Sequence, residues 1–232
     1  MNKKINKTII GIDIGGTKMR GILWNRKKIL KTIEVATPKN LTDFKLNFVK
    51  IVNFLGVKNR IAVGAAGIIE KNKLKKSPNM PYIKNFVFAD EKFKAEKIDN
   101  DARCFARAEY SMGNAAGREK ENIFFITLGT GVGRAAVKKK KVLNIKKFEY
   151  PEKWESEYQK LRDKKNDAKL AEFLGEKITK IVKPYNSQLI IIGGGMLKKK
   201  GFFKKLRQKI AIPIKKSKFN KNGIALGAAM LL

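Results

Sequence analysis

The sequence predicts an α/β fold built twice, as two lobes that each hold a mixed sheet flanked by helices. Three observations predict it. Two glycine-rich turns, each set between apolar strands, stand almost half a chain apart. Asp13-Ile14-Gly15 in the first aligns with Thr127-Leu128-Gly129 in the second, an offset of 114 in 232 residues. The order of strand and helix patterns that follows each turn is alike. Neither a G-x-G-x-x-G run opening a helix after the first strand nor a P-loop is present, which turns the reading away from dinucleotide and P-loop folds. Small turns let backbone N–H groups approach an anion closely. Two of them, facing each other from two lobes, would grip a polyphosphate from both sides.

The elements read in order. Residues 7–14, 19–25 and 28–36 alternate or run apolar as three strands of an antiparallel meander. Thr42 or Asp43 caps a helix to about Leu55, with Phe44, Phe48, Ile51, Val52 and Leu55 on one face. A buried strand at Arg60–Gly64 is broken by Gly64-Ala65-Ala66-Gly67. Lys71–Asp90, with Pro78 and Pro81, reads as loop. An extended piece ends at Asn100-Asp101, and a helix carrying Ala102, Phe105, Ala108, Glu109 and Met112 closes near Gly113-Asn114.

The second half repeats the theme with strands at 122–128, 132–138 and 141–146. A polar, aromatic segment runs from Phe148 to Leu161. Leu170, Leu174, Ile178, Ile181 and Val182 then mark a helix that stops at Pro184. Gln188–Ile192 is a buried strand entering Gly193-Gly194-Gly195. A helix from about Leu197, a short strand at Ala211–Ile214 and a terminal helix Gly223–Leu232 complete the chain. The lobes fall at 1–100, with 223–232 returning to the first, and at 101–222. Such repeated meander-plus-helix halves match the ribonuclease-H-like, actin/hexokinase-type two-lobe architecture.

Composition narrows the chemistry. There is no histidine, which excludes Ser-His-Asp and Cys-His catalysis and an imidazole base. The lone Cys104 reads as a buried core thiol. The longest uncharged apolar runs are about nine residues, too short for a bilayer that needs about 20. The start of the chain lacks a signal-peptide core, so the chain reads as soluble and cytoplasmic. The formal charge is +33, carried by 44 Lys and only 9 Arg. Lysines spread over solvated faces explain it, and Arg is the usual reader of bases and phosphates. Nucleic-acid binding is the charge-driven alternative, without an aromatic-basic motif behind it.

Four constellations carry chemistry. Asp13 at a strand end, followed by Gly15, Gly16, Thr17 and Lys18, can hold a hydrated Mg²⁺ beside phosphates, with Thr17 as hydrogen-bond partner and Lys18 as a point charge. Gly129, Thr130 and Gly131 offer hydroxyl and backbone N–H groups with no negative charge to repel ATP. Gly193 and Gly194 let a ring or ribose lie on the backbone before a helix. Asn100-Asp101 either caps a helix or supplies a general base, and the helix N-terminus would hold that carboxylate ionised.

Together these motifs resemble the ROK family of sugar kinases and related repressors. Asp13-x-Gly15-Gly16-Thr17-Lys18 resembles its first phosphate motif, Leu128-Gly129-Thr130-Gly131-Val132-Gly133 its second, Asn100-Asp101-Ala102 its catalytic segment, and Ile192-Gly193-Gly194-Gly195 its adenosine segment. Leu226-Gly227-Ala228-Ala229 resembles its terminal helix. Gly64-x-x-Gly67 and Ser77-Pro78-Asn79-Met80 resemble loops near the sugar. The resemblance implies ATP and Mg²⁺ as cofactors, with Asp101 as base, Asp13 holding Mg²⁺ through water, and a hexose or N-acetylhexosamine as acceptor. Gly67, Asn79, Asn100 and Asp101 would contact the sugar. The family's zinc loop is absent, so zinc is not expected. Glu149 and Glu155 stand where sugar-hydroxyl ligands would fall, Arg134 where glycine is usual and Ala66 where proline is common. A homodimer is implied. A catalytically inactive sugar- or nucleotide-binding regulator is the alternative reading. A repressor would need a DNA-binding helix-turn-helix, for which a first strand starting by residue 7 leaves no room.

Overall fold

The computed structural model describes residues 8–90, 93–164 and 166–232; the start of the first expected strand, at residue 7, lies outside them. The chain divides into two compact units. One holds the chain up to Phe105 together with Asn222–Leu232, the other Ala106–Lys221, so the division falls inside a helix.

The first unit is built on a five-stranded sheet. Strands β1 (Ile9–Ile14), β2 (Lys18–Trp24) and β3 (Ile29–Ala36) form the antiparallel meander. Helix α1 (Leu41–Leu55) returns the chain to β4 (Arg60–Ala65) beside β1. Its cap is Asn40, one position before the helix, whose side chain accepts from the Asp43 N–H. This corrects the expected Thr42 or Asp43 cap. The stretch expected as loop holds a three-stranded antiparallel sheet, β5 (Ile68–Glu70), β6 (Lys73–Lys76) and β7 (Lys84–Val87). Only Leu74 of β6 is buried, so its lysines hid the strand. Strand β8 (Ala95–Asn100) adds parallel to β4, giving the order β3-β2-β1-β4-β8. Helix α2 (Asp101–Met112) follows it at once. Phe44 and Phe48 of α1 pack with Phe86, Phe88 and Phe93 in edge-to-face and tilted pairs, with Phe86 and Phe88 ring centres 4.6 Å apart.

The second unit repeats that sheet. Strands β9 (Ile123–Leu128), β10 (Val132–Lys138) and the two-residue β11 (Lys141–Val142) are antiparallel. A 3₁₀ turn (Lys146–Glu149) and helix α3 (Glu155–Asp163) occupy the segment read as merely polar and aromatic. Helix α4 (Asp167–Val182) lays Leu170, Leu174 and Ile178 on the core. Strand β12 (Leu189–Gly193) pairs parallel to β9. A 3₁₀ turn (Gly195–Lys198) and α5 (Phe202–Arg207) replace the single helix expected from Leu197, and Gly201 separates them. The last strand, β13 (Ile214–Lys216), starts later than expected; Pro213 meets β12 only through its carbonyl, which accepts the Ile190 N–H at 2.9 Å. The order β11-β10-β9-β12-β13 is that of the first unit, element for element. Helix α6 (Gly223–Ala229) then rejoins the first unit, packing on β1 and β4.

Candidate active site

In each unit the central strand ends in a tight turn, and the strand parallel to it ends alongside. In the first unit Asp13 sits opposite Arg20 on β2 and Gly64 on β4. In the second the aligned Thr127 sits opposite Gly133 on β10 and Gly193 on β12. Duplication therefore holds down to strand register.

The first turn is closed by the Gly15 N–H on the Lys18 carbonyl at 3.0 Å. Thr37 secures it from beyond β3: its hydroxyl donates to the Gly15 carbonyl at 2.7 Å and its N–H to the Thr17 carbonyl at 3.0 Å. Gly16 carries the loop that holds Asn79, since a Cβ there would stand 2.4 Å from the Asn79 Cβ. Asn79 itself is exposed. Lys18, expected as a charge on phosphate, is placed elsewhere: it and Arg20 form ion pairs with Glu34 on β3. Those two hydrogen bonds hold the Glu34 carboxyl down at about 2.

Asp13 is 9% exposed. Burial above all, then repulsion from Asp101, pushes its carboxyl up to about 8; Arg20 opposes and Glu34 adds. Strand register sets the two carboxylates at the same end of the sheet: Asp13 pairs with Gly64 on β4, Ala65 beside it pairs with Asn100 on β8, and Asp101 follows directly. Asp101 opens α2, and its Oδ1 accepts the Ala102 N–H at 2.8 Å. The Ala102 N–H at the helix N-terminus favours the ionised form. Burial outweighs the backbone donor and Arg103, and lifts the carboxyl to about 6. It still ionises at neutral pH.

Asn100, 4% exposed, bonds on both sides. Its Nδ2 donates to the Gly67 carbonyl at 3.1 Å, and its Oδ1 accepts the Ala102 N–H at 3.0 Å. It thus caps α2 and draws the Gly67 turn to Asp101. Asp99 and Arg103 add a partly buried pair at 2.6 Å one turn along. Among the described residues no group of three or more His, Cys, Asp or Glu is arranged to hold a metal. Two hard carboxylates beside a phosphate-type turn do suit Mg²⁺, which takes one or two carboxylates plus water and phosphate oxygens.

The second turn is shorter: three residues separate Leu128 from Val132, against four between Ile14 and Met19. Its backbone is held from α3, the helix that sequence reading missed. Tyr158 Oη donates to the Gly129 carbonyl at 2.7 Å; Arg162 Nη1 reaches the Gly129 and Thr130 carbonyls at 3.1 and 2.9 Å; Gln159 Nε2 adds a bond to Thr130 at 3.3 Å. Gly194 lies at the foot of this turn with φ +98°, and a Cβ there would stand 2.3 Å from the Leu128 carbonyl oxygen. Only glycine fits, so Gly193 and Gly194 are joined to the base of the turn by close backbone approach.

Glu155, expected as a sugar ligand, has three partners within its own unit. Its Oε2 accepts the Val132 N–H at 3.1 Å, its Oε1 accepts the Glu152 N–H at 2.9 Å, and the buried Arg134 guanidinium pairs with it at 3.3 Å. Arg134 also pairs with Glu152 at 2.9 Å and lies over the Phe148 ring. The arginine that replaces the usual glycine thus ties the 148–155 segment to β10. Glu149 is buried and paired with Lys146 at 3.2 Å. Glu109, fully buried, accepts from Ser217 Oγ at 2.6 Å and from the N–H groups of Lys218, Phe219 and Asn114. It shapes the segment after β13 rather than any reaction.

Among the described residues no helix is long and apolar enough to cross a membrane.

Comparison with known proteins agrees with this architecture. The ROK family model matches residues 9–144. A glucokinase from Streptomyces coelicolor is 32% identical over 135 residues, which is 53% of this chain and 41% of that protein. An N-acetyl-D-glucosamine kinase from Photobacterium profundum is 31% identical over 138 residues, 55% of this chain and 45% of that one. The chain thus aligns with less than half the length of these relatives. Its fold is similar to that of a ROK family glucokinase from Streptomyces griseus in complex with glucose and AMPPNP. The TM-score is 0.80 at 17% identity, over 97% of this chain and 98% of that one.

Proposed function

Because the chain belongs to the ROK family, we propose that it transfers the γ-phosphoryl group of ATP to a hydroxyl of a hexose or N-acetylhexosamine. The observation that carries this reading is that strand register sets Asp13 and Asp101 at one end of the first sheet beside a glycine turn, and that the second copy of the sheet repeats the turn. Asp101 is the base. It orients the acceptor hydroxyl and takes its proton as the oxygen–phosphorus bond forms and the bond from phosphorus to the β,γ-bridging oxygen breaks. A carboxylate at about 6 is ionised at neutral pH, and in a loose transition state it needs to accept the proton only late. Asp13 holds Mg²⁺ through water, and the ion, when bound, neutralises charge on the phosphates.

Each turn offers its own amides to phosphate oxygens, and Gly193 with Gly194 offers backbone to an adenosine ring. Asn100, Gly67 and Asn79 would contact the acceptor, and the Asn100 bond to the Gly67 carbonyl supports this for the first two. Lys18 and Glu155 are paired with Glu34 and Arg134, and would exchange those partners to reach a ligand. The same reading takes the protein as cytoplasmic, with a small sugar rather than a nucleic acid as its partner. The names of the relatives support hexoses and N-acetylhexosamines as the acceptors to try first.

The test is ADP release from MgATP across a panel of hexoses and N-acetylhexosamines. Sugar-dependent ADP that disappears in Asp101→Asn supports the reading. ATP binding without transfer to any sugar would favour the inactive regulator instead.

A further inference from the structure

Glycine turns that bind anions must be aimed, because nothing in glycine itself aims them. In the first unit the aiming is done by Thr37, whose hydroxyl holds the Gly15 carbonyl. The aligned residue in the second unit, Gly129, is held from α3 instead, by Tyr158 and Arg162. A Cβ added at Gly129 would meet nothing within 4 Å, so packing does not fix this peptide. The hydrogen bonds do.

Their direction matters. All peptide bonds among the described residues are trans, and in a trans peptide the C=O and the following N–H point opposite ways. Pinning the Gly129 and Thr130 carbonyls on α3 therefore turns the Thr130 and Gly131 N–H groups away from α3, one after the other. Successive amides directed alike form an anion-binding concavity. Arg162 reaches both carbonyls from one side chain, and Asp163 Oδ1 fixes its fork from the other side at 2.8 Å.

We propose that Arg162, seconded by Tyr158, is the positioning residue of the second phosphate turn. It touches no phosphate; it sets the direction in which the Thr130 and Gly131 amides meet the triphosphate of a nucleotide. The proposal rests on the kinase reading above. Burial holds the Tyr158 phenol protonated and so a permanent donor, in keeping with that role. Lysine cannot replace Arg162 fully, since one ammonium lacks the planar fork that spans two carbonyls.

The test uses the full chain, with AMPPNP as probe, and follows the ¹⁵N–¹H signals of Thr130 and Gly131. In the wild type both signals shift as AMPPNP is added. In Arg162→Ala the two signals sit elsewhere before any addition, and the KM for ATP rises about tenfold to a hundredfold, the scale of one lost charge-assisted hydrogen bond. The KM for sugar stays put and kcat changes less. Added guanidinium recovers part of the loss, and Arg162→Lys falls between; a purely structural lesion would show neither. A wild-type response retained unchanged in Arg162→Ala overturns the positioning role alone. A wild type whose signals ignore AMPPNP overturns the kinase reading and the role with it. Should Arg162→Ala fail to fold, Tyr158→Phe, which removes one hydroxyl, gives the same readout at smaller amplitude.

Discussion

Asp13→Asn removes the carboxylate that this fold is least willing to ionise, and the structure sets how much that should matter. In the unfolded chain Asp13 has the ordinary value of 3.8; in the folded chain burial and Asp101 raise it to about 8. A folded value above the unfolded one makes the native state bind the extra proton. The stabilisation is complete below about pH 4 and is lost as pH climbs through the window up to about 8. A tenfold change in proton affinity is worth about 1.4 kcal/mol, which bounds the loss across that window at roughly 6 kcal/mol. The effective dielectric of a real protein interior lowers this cost, and about 2–3 kcal/mol is expected.

The assay is urea unfolding from pH 4 to 9 in EDTA, wild type against Asp13→Asn. The variant should lack this component of the pH dependence and exceed the wild type in stability at pH 8 by about 2 kcal/mol. Adding Mg²⁺ with AMPPNP should stabilise the wild type more than the variant, because in the wild type the cation also substitutes for the proton on Asp13. A variant no more stable than the wild type at pH 8, with the same slope across the window, would refute the account of Asp13 as a buried, proton-holding cation site.

Three further outcomes follow from named contacts. Activity should rise with pH through about 6 as Asp101 ionises, with kcat/KM falling about tenfold per pH unit below it and Asp101→Asn losing roughly 10²–10⁴-fold; a flat profile from pH 5 to 8 counts against Asp101 as base. Glu155→Gln breaks the pair with buried Arg134 and sets an amide NH₂ against the Val132 or Glu152 N–H. It should cost about 3 kcal/mol in denaturant unfolding and leave the KM for sugar unchanged, whereas a raised sugar KM in a fully stable variant would return Glu155 to the ligand shell. Gly194→Ala combines φ +98° with a Cβ 2.3 Å from the Leu128 oxygen and should lower stability by about 2 kcal/mol or more and weaken AMPPNP binding; a wild-type melting temperature would show that the β12 end yields more easily than its geometry implies.

The resemblance on which the catalytic reading leans was legible from five short motifs in order, and the ROK family match covers residues 9–144. Helices α1 and α4 were legible because each buries a stripe at helical spacing, Phe44-Phe48-Ile51-Leu55 in one and Leu170-Leu174-Ile178 in the other. Helix α3 was not. Of its nine residues only Glu155, Tyr158 and Leu161 are buried, and a carboxylate in that set reads as solvent-facing. A buried glutamate announces itself only when its partners, here Arg134 and two backbone N–H groups, arrive from elsewhere in the chain. The pairing of Lys18 with Glu34 was hidden for a like reason, since it depends on β2–β3 register.

By itself, then, the chain of residue types determined the strand-turn-strand pattern and its repetition, the glycine positions, and the absence of an imidazole, because these are properties of local spacing and inventory. Tertiary structure alone decided the protonation of Asp13 and Asp101, the commitment of Lys18 and Glu155 to internal partners, and the direction of the second turn. Desolvation, ion pairing and peptide orientation are set by atoms that lie far apart in sequence and meet only when the sheets and helices close around them.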